Sequence, residues 1–551
     1  MAPAGAGMRD RGRTILGVMA SVLFVVGLSV AAGLVLRHGL AQSKPESPQP
    51  TFAQQMPRGH LFTREQTYSF LDAAKRAEQI ADPLQRCRAY PDPPGSHWDH
   101  DAVAAYCTYR YGPKIPLADV RQLIESGQAA ELDRRFAMLL HQQLTQPGAQ
   151  GLFDRAFEMD FNTDSFDVHE LMQAWLRQAP DSAFAHAASG LVYVKMAFAA
   201  RGTELVRNTP ESNFESMDRL ATQADGDLRH ALELNPGLTP AYDAMVNVGG
   251  FSDLGCQYAY AAADKGLAAA PDNFAIYDTL MWLAQPKWCG SEAKLRSIWT
   301  RAQSHATSNP LLSLIKPAGE FNLIDACKCS EQKQLGAYVA VLDHPAAARD
   351  LLEAGNTARD VRETATMMIY LSEALRFDPS LDGARLDRIY GLVDFDNAKW
   401  AIDEANAMIA KSADNEFAYK ARAWAEMQGE NDLPSAQRDF LKATQLDPTD
   451  MWALSRLGSV YIQNGRQWDK ARSVADQLIA KRPDVEDGWM LRATVQFNQR
   501  QPGFVDTVNQ IASRFRRDPK IAAVVAHMRD AWTRQQKADV EPSLPHAHGG
   551  R

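Results

Sequence analysis

The sequence predicts an all-α fold, a solenoid of antiparallel helix pairs, from two observations. First, a helix-ending residue recurs every 34 to 39 residues after an amphipathic run. These positions are Pro236, Pro271, Pro310, Pro345, Pro379, Asp414, Pro448, Pro483 and Pro519. Because proline cannot continue a helix, a fixed proline period marks a fixed helical unit, and a period near 34 is typical of helix–turn–helix arrays. Second, alanine is abundant, whereas the valine and isoleucine runs that form strands are scarce.

Length and charge agree with this fold class. A chain of 551 residues is too long for one compact core, but a repeat array buries each unit against its neighbours. The net charge is −8. Because phosphate binding requires a basic face, this balance argues against nucleic acid as a partner.

The N-terminal region predicts a membrane anchor. Residues 14–36 form a run of 23 consecutive residues without an ionisable side chain. As a helix, this run is long enough to cross a hydrocarbon layer of ~30 Å. Three arginines precede this span, so we expect residues 1–13 in the cytoplasm. The competing interpretation is a cleaved signal peptide ending at residues 39–41, which the charged residues just before that site disfavour. We therefore expect a single-pass protein of a bacterial inner membrane with its bulk in the periplasm.

The next segments frame the array. Residues 41–58, rich in Pro, Gln and Ser, predict a flexible linker. Residues 59–150 have an irregular helical pattern, in which Thr63 and Asp99 are expected to cap helices. Because a solenoid needs a terminal unit with a polar outer face, this segment predicts an N-terminal cap. Residues 534–551 are expected to form a disordered tail.

The repeats over residues 249–533 are most regular in the unit that ends at Pro483. Its marker residues are Leu457, Gly458, Tyr461, Gly465, Ala471 and Ala475. This unit resembles a tetratricopeptide repeat, in which small residues such as those at 458 and 471 let two helices approach closely. The resemblance implies a concave groove lined by the first helix of each unit, which binds a protein or peptide.

The same unit supplies candidate groove residues. Trp452, Ser455, Ser459 and Gln463 are expected to face the groove, as a polar floor with one aromatic side chain. Such a floor suits an extended peptide or a partner helix. Alternatively, Trp452 only packs between units, and the sequence leaves both interpretations open.

An earlier segment carries a second resemblance. Its residues are the run 180–186, Leu191-Val-Tyr193, 199–202, 131–136 and Trp175-Leu176. Over about residues 117–248 the chain resembles the bacterial family catalogued as domain of unknown function 4034. The resemblance implies a helical-repeat protein of proteobacterial envelopes with no established activity. Within residues 151–248, Pro180 and Pro236 are 56 residues apart, which predicts an insertion of about 22 residues into one unit.

Six cysteines are compatible with disulfides in an exported chain. They are Cys87 and Cys107 in the expected cap, and Cys256, Cys289, Cys327 and Cys329, which all map to turns between helices. A bridge requires Cα atoms within ~7 Å, closer than stacked turns usually come, so a Cys87–Cys107 bridge is more favoured than any pairing among the other four. A metal site on those four is disfavoured because one-residue spacing suits zinc poorly.

A catalytic alternative rests on His97, His100 and Asp101, which we interpret instead as the start of a helix capped by Asp99. The sequence contains no nucleophile elbow, P-loop, HExxH or dinucleotide motif, so we expect no enzyme, cofactor or metal.

The leading hypothesis is a membrane-anchored periplasmic scaffold for protein–protein interaction, serving envelope assembly or secretion. The alternatives are a metal-dependent envelope enzyme and a peptidoglycan- or lipid-binding accessory protein, the latter only if the groove is strongly apolar.

Overall fold

A computed structural model describes residues 58–327 and 329–540, and throughout these residues the regular structure is helical. The predicted anchor 14–36, the linker up to residue 57 and the tail from residue 541 lie outside them. The expectation of a disordered tail is wrong for residues 534–540, because they continue the last helix. Helices α1 to α7 span Arg64–Glu78, Pro83–Ala89, His100–Tyr111, Leu117–Glu125, Ala129–Thr145, Leu152–Phe161 and Phe166–Gln178. The all-α prediction is confirmed for the described residues.

The repeat units follow as helix pairs. Helices α8 to α17 span Ala183–Arg201, Glu211–Leu234, Thr239–Phe251, Gly255–Ala269, Phe274–Leu283, Glu292–Gln303, Ile315–Asp325, Glu331–Val341, Ala348–Asp360 and Thr364–Phe377. Helices α18 to α26 span Asp382–Asp394, Ala398–Lys411, Glu416–Gln428, Leu433–Leu446, Met451–Gln463, Trp468–Lys481, Glu486–Asn498, Phe504–Arg514 and Pro519–Val540. From α8 to α25, even-numbered helices are the first and odd-numbered helices the second of each unit.

The proline period marks the ends of second helices, as predicted. Pro379 follows α17 and Pro483 follows α23, each after a one-residue gap. Pro310 and Pro519 instead begin a 3₁₀ helix and α26. Proline is compatible with both positions. It cannot continue a helix that has just ended, and the first residue of a new helix does not need a backbone N–H donor. Asp414 marks the equivalent boundary between α19 and α20.

Close approach between units depends on small residues. A Cβ added to Gly458 would meet Leu491 of the next unit and would lie 3.0 Å from Cγ1 of Val474. Ala471 and Ala475 are fully buried in the same core. Glycine and alanine here therefore allow the contact that the repeat pattern predicts.

The unit with the predicted insertion has unusually long helices. Helix α8 has 19 residues and α9 has 24, joined by a segment containing the 3₁₀ helix Val206–Asn208. Among the described residues, α8 is the one helix long and apolar enough to cross a membrane, and 56% of that apolar stretch is buried inside the protein. It packs along α9 and against α7 and α10. Helix α8 therefore belongs to the core of the array.

Residues 58–111, which we call the strap, do not lie at the end of the array. They pack against the middle units, on the second helix α17 and on the 3₁₀ helix Pro310–Leu314, and the amide of Gly59 donates to the carbonyl of Gly336 on α15. The indole nitrogen of Trp98 donates to the carbonyl of Leu342 at 3.0 Å, and Arg376 Nε donates to the carbonyl of Cys87 at 2.7 Å.

The expectation of one N-terminal cap over residues 59–150 is therefore wrong for the strap. Helices α4 to α7 do pack beside the first unit, where a cap is expected. The local caps within the strap form as predicted, since Thr63 makes a capping box and Asp99 caps α3. Capping residues set the helix starts within the strap. The docking position depends instead on side chains that are distant in the sequence, such as Phe377 beside Trp98.

Candidate binding surface on the first helices

All four predicted groove residues lie on α22. Trp452, Ser455 and Ser459 are half-buried, and Gln463 is exposed. The Ser459 hydroxyl donates to the carbonyl of Ser455 at 3.1 Å, a common satisfaction of serine within a helix. Three of the four side chains are thus partly accessible on a first helix.

Trp452 packs between units and keeps part of its ring exposed. Its ring centre is 5.9 Å from that of Phe440 on α21 and 5.8 Å from that of Trp424 on α20. It is also 6.1 Å from the ring of Tyr390 on α18. Tyr390, Trp424 and Trp452 come from three successive first helices, and we call them the aromatic row. The packing interpretation therefore describes the contacts of Trp452, and its role in a groove stays a prediction.

A cation joins the aromatic row. The guanidinium of Arg456 lies 5.8 Å from the ring centre of Trp424 and 5.6 Å from that of Trp452, within the range of a cation–π interaction. Its Nε atom is shielded from solvent and has no hydrogen-bond partner among the described residues. Burial raises the pKa of Tyr390, so its phenol is neutral and can donate a hydrogen bond.

An ion pair fixes the two helices that carry the tryptophans. The ammonium of Lys420 on α20 bonds to the carboxylate of Asp450, and both side chains are largely buried. Asp450 also caps α22, since it accepts from the amide of Ala453 at 2.9 Å. Beside this pair, Phe417 is 52% exposed, with the Lys420 ammonium 4.3 Å from its ring centre. The surface therefore combines fixed aromatic rings with charged groups.

Tyr390 and Trp424 were missed because the groove was predicted from one unit only. Positions 390, 424 and 459 are 34 and 35 residues apart, so they occupy the same place in consecutive units. Extending the position of Ser459 by one and two periods identifies both aromatic residues from the sequence.

The alternative catalytic residues belong to the strap, and the side-chain contacts of His97 and His100 are with other residues. His97 Nδ1 lies 2.9 Å from the carboxylate of Asp343, and His100 Nδ1 lies 3.7 Å from Asp92. Within residues 58–327 and 329–540, no three His, Cys, Asp or Glu side chains are grouped so as to hold a metal ion.

The cysteines form three pairs. They are Cys87–Cys107 within the strap, Cys256–Cys289 between two adjacent units, and Cys327–Cys329 within one turn, with Cα–Cα distances of 5.7, 5.6 and 5.2 Å. The second pair requires neighbouring turns to lean together. These turns are adjacent: Cys256 lies in the first turn of α11, and Cys289 lies in the loop after α12.

Helix pairs of this length, stacked through small residues and exposing first-helix side chains, define a tetratricopeptide-like helical-repeat protein. Within it, residues 116–237 match the family described as Domain of unknown function (DUF4034), which confirms the resemblance predicted over about 117–248. No curated protein matches the chain.

Two solved structures are also similar to the chain. The P58(IPK) TPR domain matches at 11% identity and a TM-score of 0.22, over 57% of this chain and 95% of that one. The APC/C hetero-tetramer Cut9-Hcn1 matches at 12% identity and a TM-score of 0.31, over 84% of this chain and 99% of that one. Similarities this low carry no information about function.

Proposed function

We propose that this chain is a scaffold that binds a protein or peptide on its first-helix surface, at the aromatic row and Arg456. The observation that carries the proposal is the convergence of three partly exposed aromatic side chains from successive units, two of which contact the guanidinium of Arg456. Tryptophan, tyrosine and arginine are the residue types that most often dominate binding energy at protein interfaces.

The chemistry of the surface favours a peptide over a lipid. The partly exposed Arg456 offers a cation to a carbonyl or carboxylate of the ligand, and Ser455, Ser459 and Gln463 add polar groups. A lipid would require a strongly apolar surface, whereas these side chains form a partly polar one. In this proposal the chain acts without catalysis.

Site-specific crosslinking tests the proposal. A photoreactive residue at Ser459 in the full chain, expressed in its native envelope, should capture a defined partner. Trp424→Ala should lower capture at least ~10-fold, because an aromatic anchor contributes ~2 kcal/mol or more. Trp288→Ala, which removes an exposed tryptophan from another surface, is the matched control. Equal capture by both variants, or no specific capture, refutes the proposal.

We propose further that residues 14–36 anchor the chain in a bacterial inner membrane, with residues 1–13 in the cytoplasm and the array in the periplasm. The three cysteine pairs support this, because disulfides persist in an oxidising compartment. There the scaffold would serve envelope assembly or secretion. An alkaline phosphatase fused after Arg551 should be active in intact cells, whereas activity of a cytoplasmic reporter at that position refutes this topology.

A further inference from the structure

A second site lies at the other end of the array, far along the chain from the aromatic row. A cavity of about 190 Å³ is enclosed between α6 and the first helices α8, α10 and α12. Leu191, Val194 and Phe198 of α8 form an apolar wall, and the polar groups of the lining come mainly from α6 and α10. The volume exceeds that of a single water site many times over.

One carboxylate oxygen of the lining lacks a partner. Asp243 Oδ1 is shielded from solvent and has no hydrogen-bond partner among the described residues. By contrast, the neighbouring Asp154 is satisfied on both oxygens, by the hydroxyl of Thr239 and by Asn273 Nδ2, the latter at 2.6 Å. Asp154 is thus a structural group that joins helix starts, whereas Asp243 keeps one oxygen without a partner.

The surroundings of Asp243 are acidic. Burial raises the pKa of Asp243 well above its usual range. A hydrogen bond from the side chain of Thr279 opposes this rise, whereas the negative charges of Glu158, Asp154 and Asp278 add to it. Lys195 is the basic residue of the lining, with its ammonium 5.7 Å from the ring centre of Phe198. A buried carboxylate oxygen without a partner is unfavourable, and a cation that reaches it removes the cost.

The lining selects the kind of cation. The described residues offer no group of three ligands for a metal ion, so a bare metal does not suit the cavity. Apolar walls suit an alkyl chain, while Asp243, Asn247 and Thr279 present oxygen acceptors to a group with several N–H donors. A lysine side chain has both features, an apolar stem and an ammonium head.

We propose that this cavity binds a primary alkylammonium group, with its ammonium on Asp243 and its alkyl chain against Leu191, Val194 and Phe198. The proposal does not rest on the aromatic row or on the location of the protein.

Titration calorimetry on the complete chain tests the proposal with two probes. Nα-acetyl-lysine methylamide represents a peptide side chain, and 1,5-diaminopentane represents a free amine. Saturable binding of either probe supports the proposal and shows which source the cavity accepts. Nα-acetyl-norleucine methylamide, which has a matching alkyl chain without the ammonium, should not bind.

A matched pair of variants locates the binding. Asp243→Asn keeps the shape of the side chain and should weaken binding at least ~10-fold, because a charged hydrogen bond is lost. Asp530→Asn, at an exposed acid on α26, should bind as the wild type does. Thermal unfolding checks that Asp243→Asn folds, and the active probe should raise the melting temperature of the wild type only. Failure of both probes to bind, or unchanged binding by Asp243→Asn, overturns the proposal.

Discussion

Replacing Arg388 with methionine should loosen the strap from the array. The Arg388 side chain is 1% exposed on α18, and its guanidinium bonds to Glu404 of α19. It also contacts two strap residues, with 3.4 Å to the Glu78 carboxylate and 3.2 Å to the Tyr90 hydroxyl. One side chain therefore connects the strap to two helices of the array.

The magnitude follows from the burial of the partners. Removing one member of a buried ion pair costs ~3–5 kcal/mol, because the remaining charge is left without compensation. Burial already raises the pKa of Glu404 with Arg388 present, so without Arg388 this carboxyl takes up a proton and limits the penalty. Methionine also recovers some of the packing against Trp400, whose ring centre is 5.1 Å from the guanidinium. We therefore expect a loss near the lower bound, ~3 kcal/mol.

The assay combines urea unfolding with limited proteolysis of the strap. Arg388→Met should lower the free energy of unfolding and expose residues 58–111 to protease. Adding Glu404→Leu should restore at least half of the loss, because an apolar pair replaces the buried ions. Arg482→Met, at an exposed ion pair, is the control and should change stability by less than ~1 kcal/mol. A loss below ~1 kcal/mol for Arg388→Met, or no recovery in the double variant, refutes this reasoning.

Three other changes test separate features. The double change Cys87→Ser and Cys107→Ser opens a loop of 20 residues and should lower the free energy of unfolding by ~3 kcal/mol, measured by urea titration with and without reductant. Burial raises the pKa of Glu373 from 4.5 to about 8, so the native state holds a proton that the unfolded chain releases. Stability should therefore fall as pH rises from about 4.5 to 8, and Glu373→Gln should flatten that part of a melting-temperature profile. Gly458→Val should overpack against Leu491 and cost ~1–3 kcal/mol in urea unfolding.

Each of these has a clear contrary outcome. Unchanged stability of the serine variant under oxidising conditions contradicts the bridge across the strap. A melting profile of Glu373→Gln parallel to that of the wild type removes this carboxyl as the source of the pH dependence. Full stability of Gly458→Val means that the units separate without cost at this contact.

The repeat register was predictable because each of its signals is local. Pro379 and Pro483 end second helices through their own backbone chemistry, and Thr63 caps α1 through residues three positions away. The candidate groove was only partly predictable. The position of Ser459 was correct for a first helix, and its repeat-related positions 390 and 424 carry the aromatic residues that complete the row.

The sequence alone thus determined the helical units, their boundaries and the small residues between them, because these depend on backbone geometry and on spacing within about one period. The tertiary structure decided where the strap docks, which rings meet at the aromatic row and which carboxylate oxygen is left unpartnered in the cavity. The strap joins residues such as Trp98 and Leu342, which are 244 positions apart. Burial of such pairs depends on how whole surfaces fit together, and no repeat period encodes that fit.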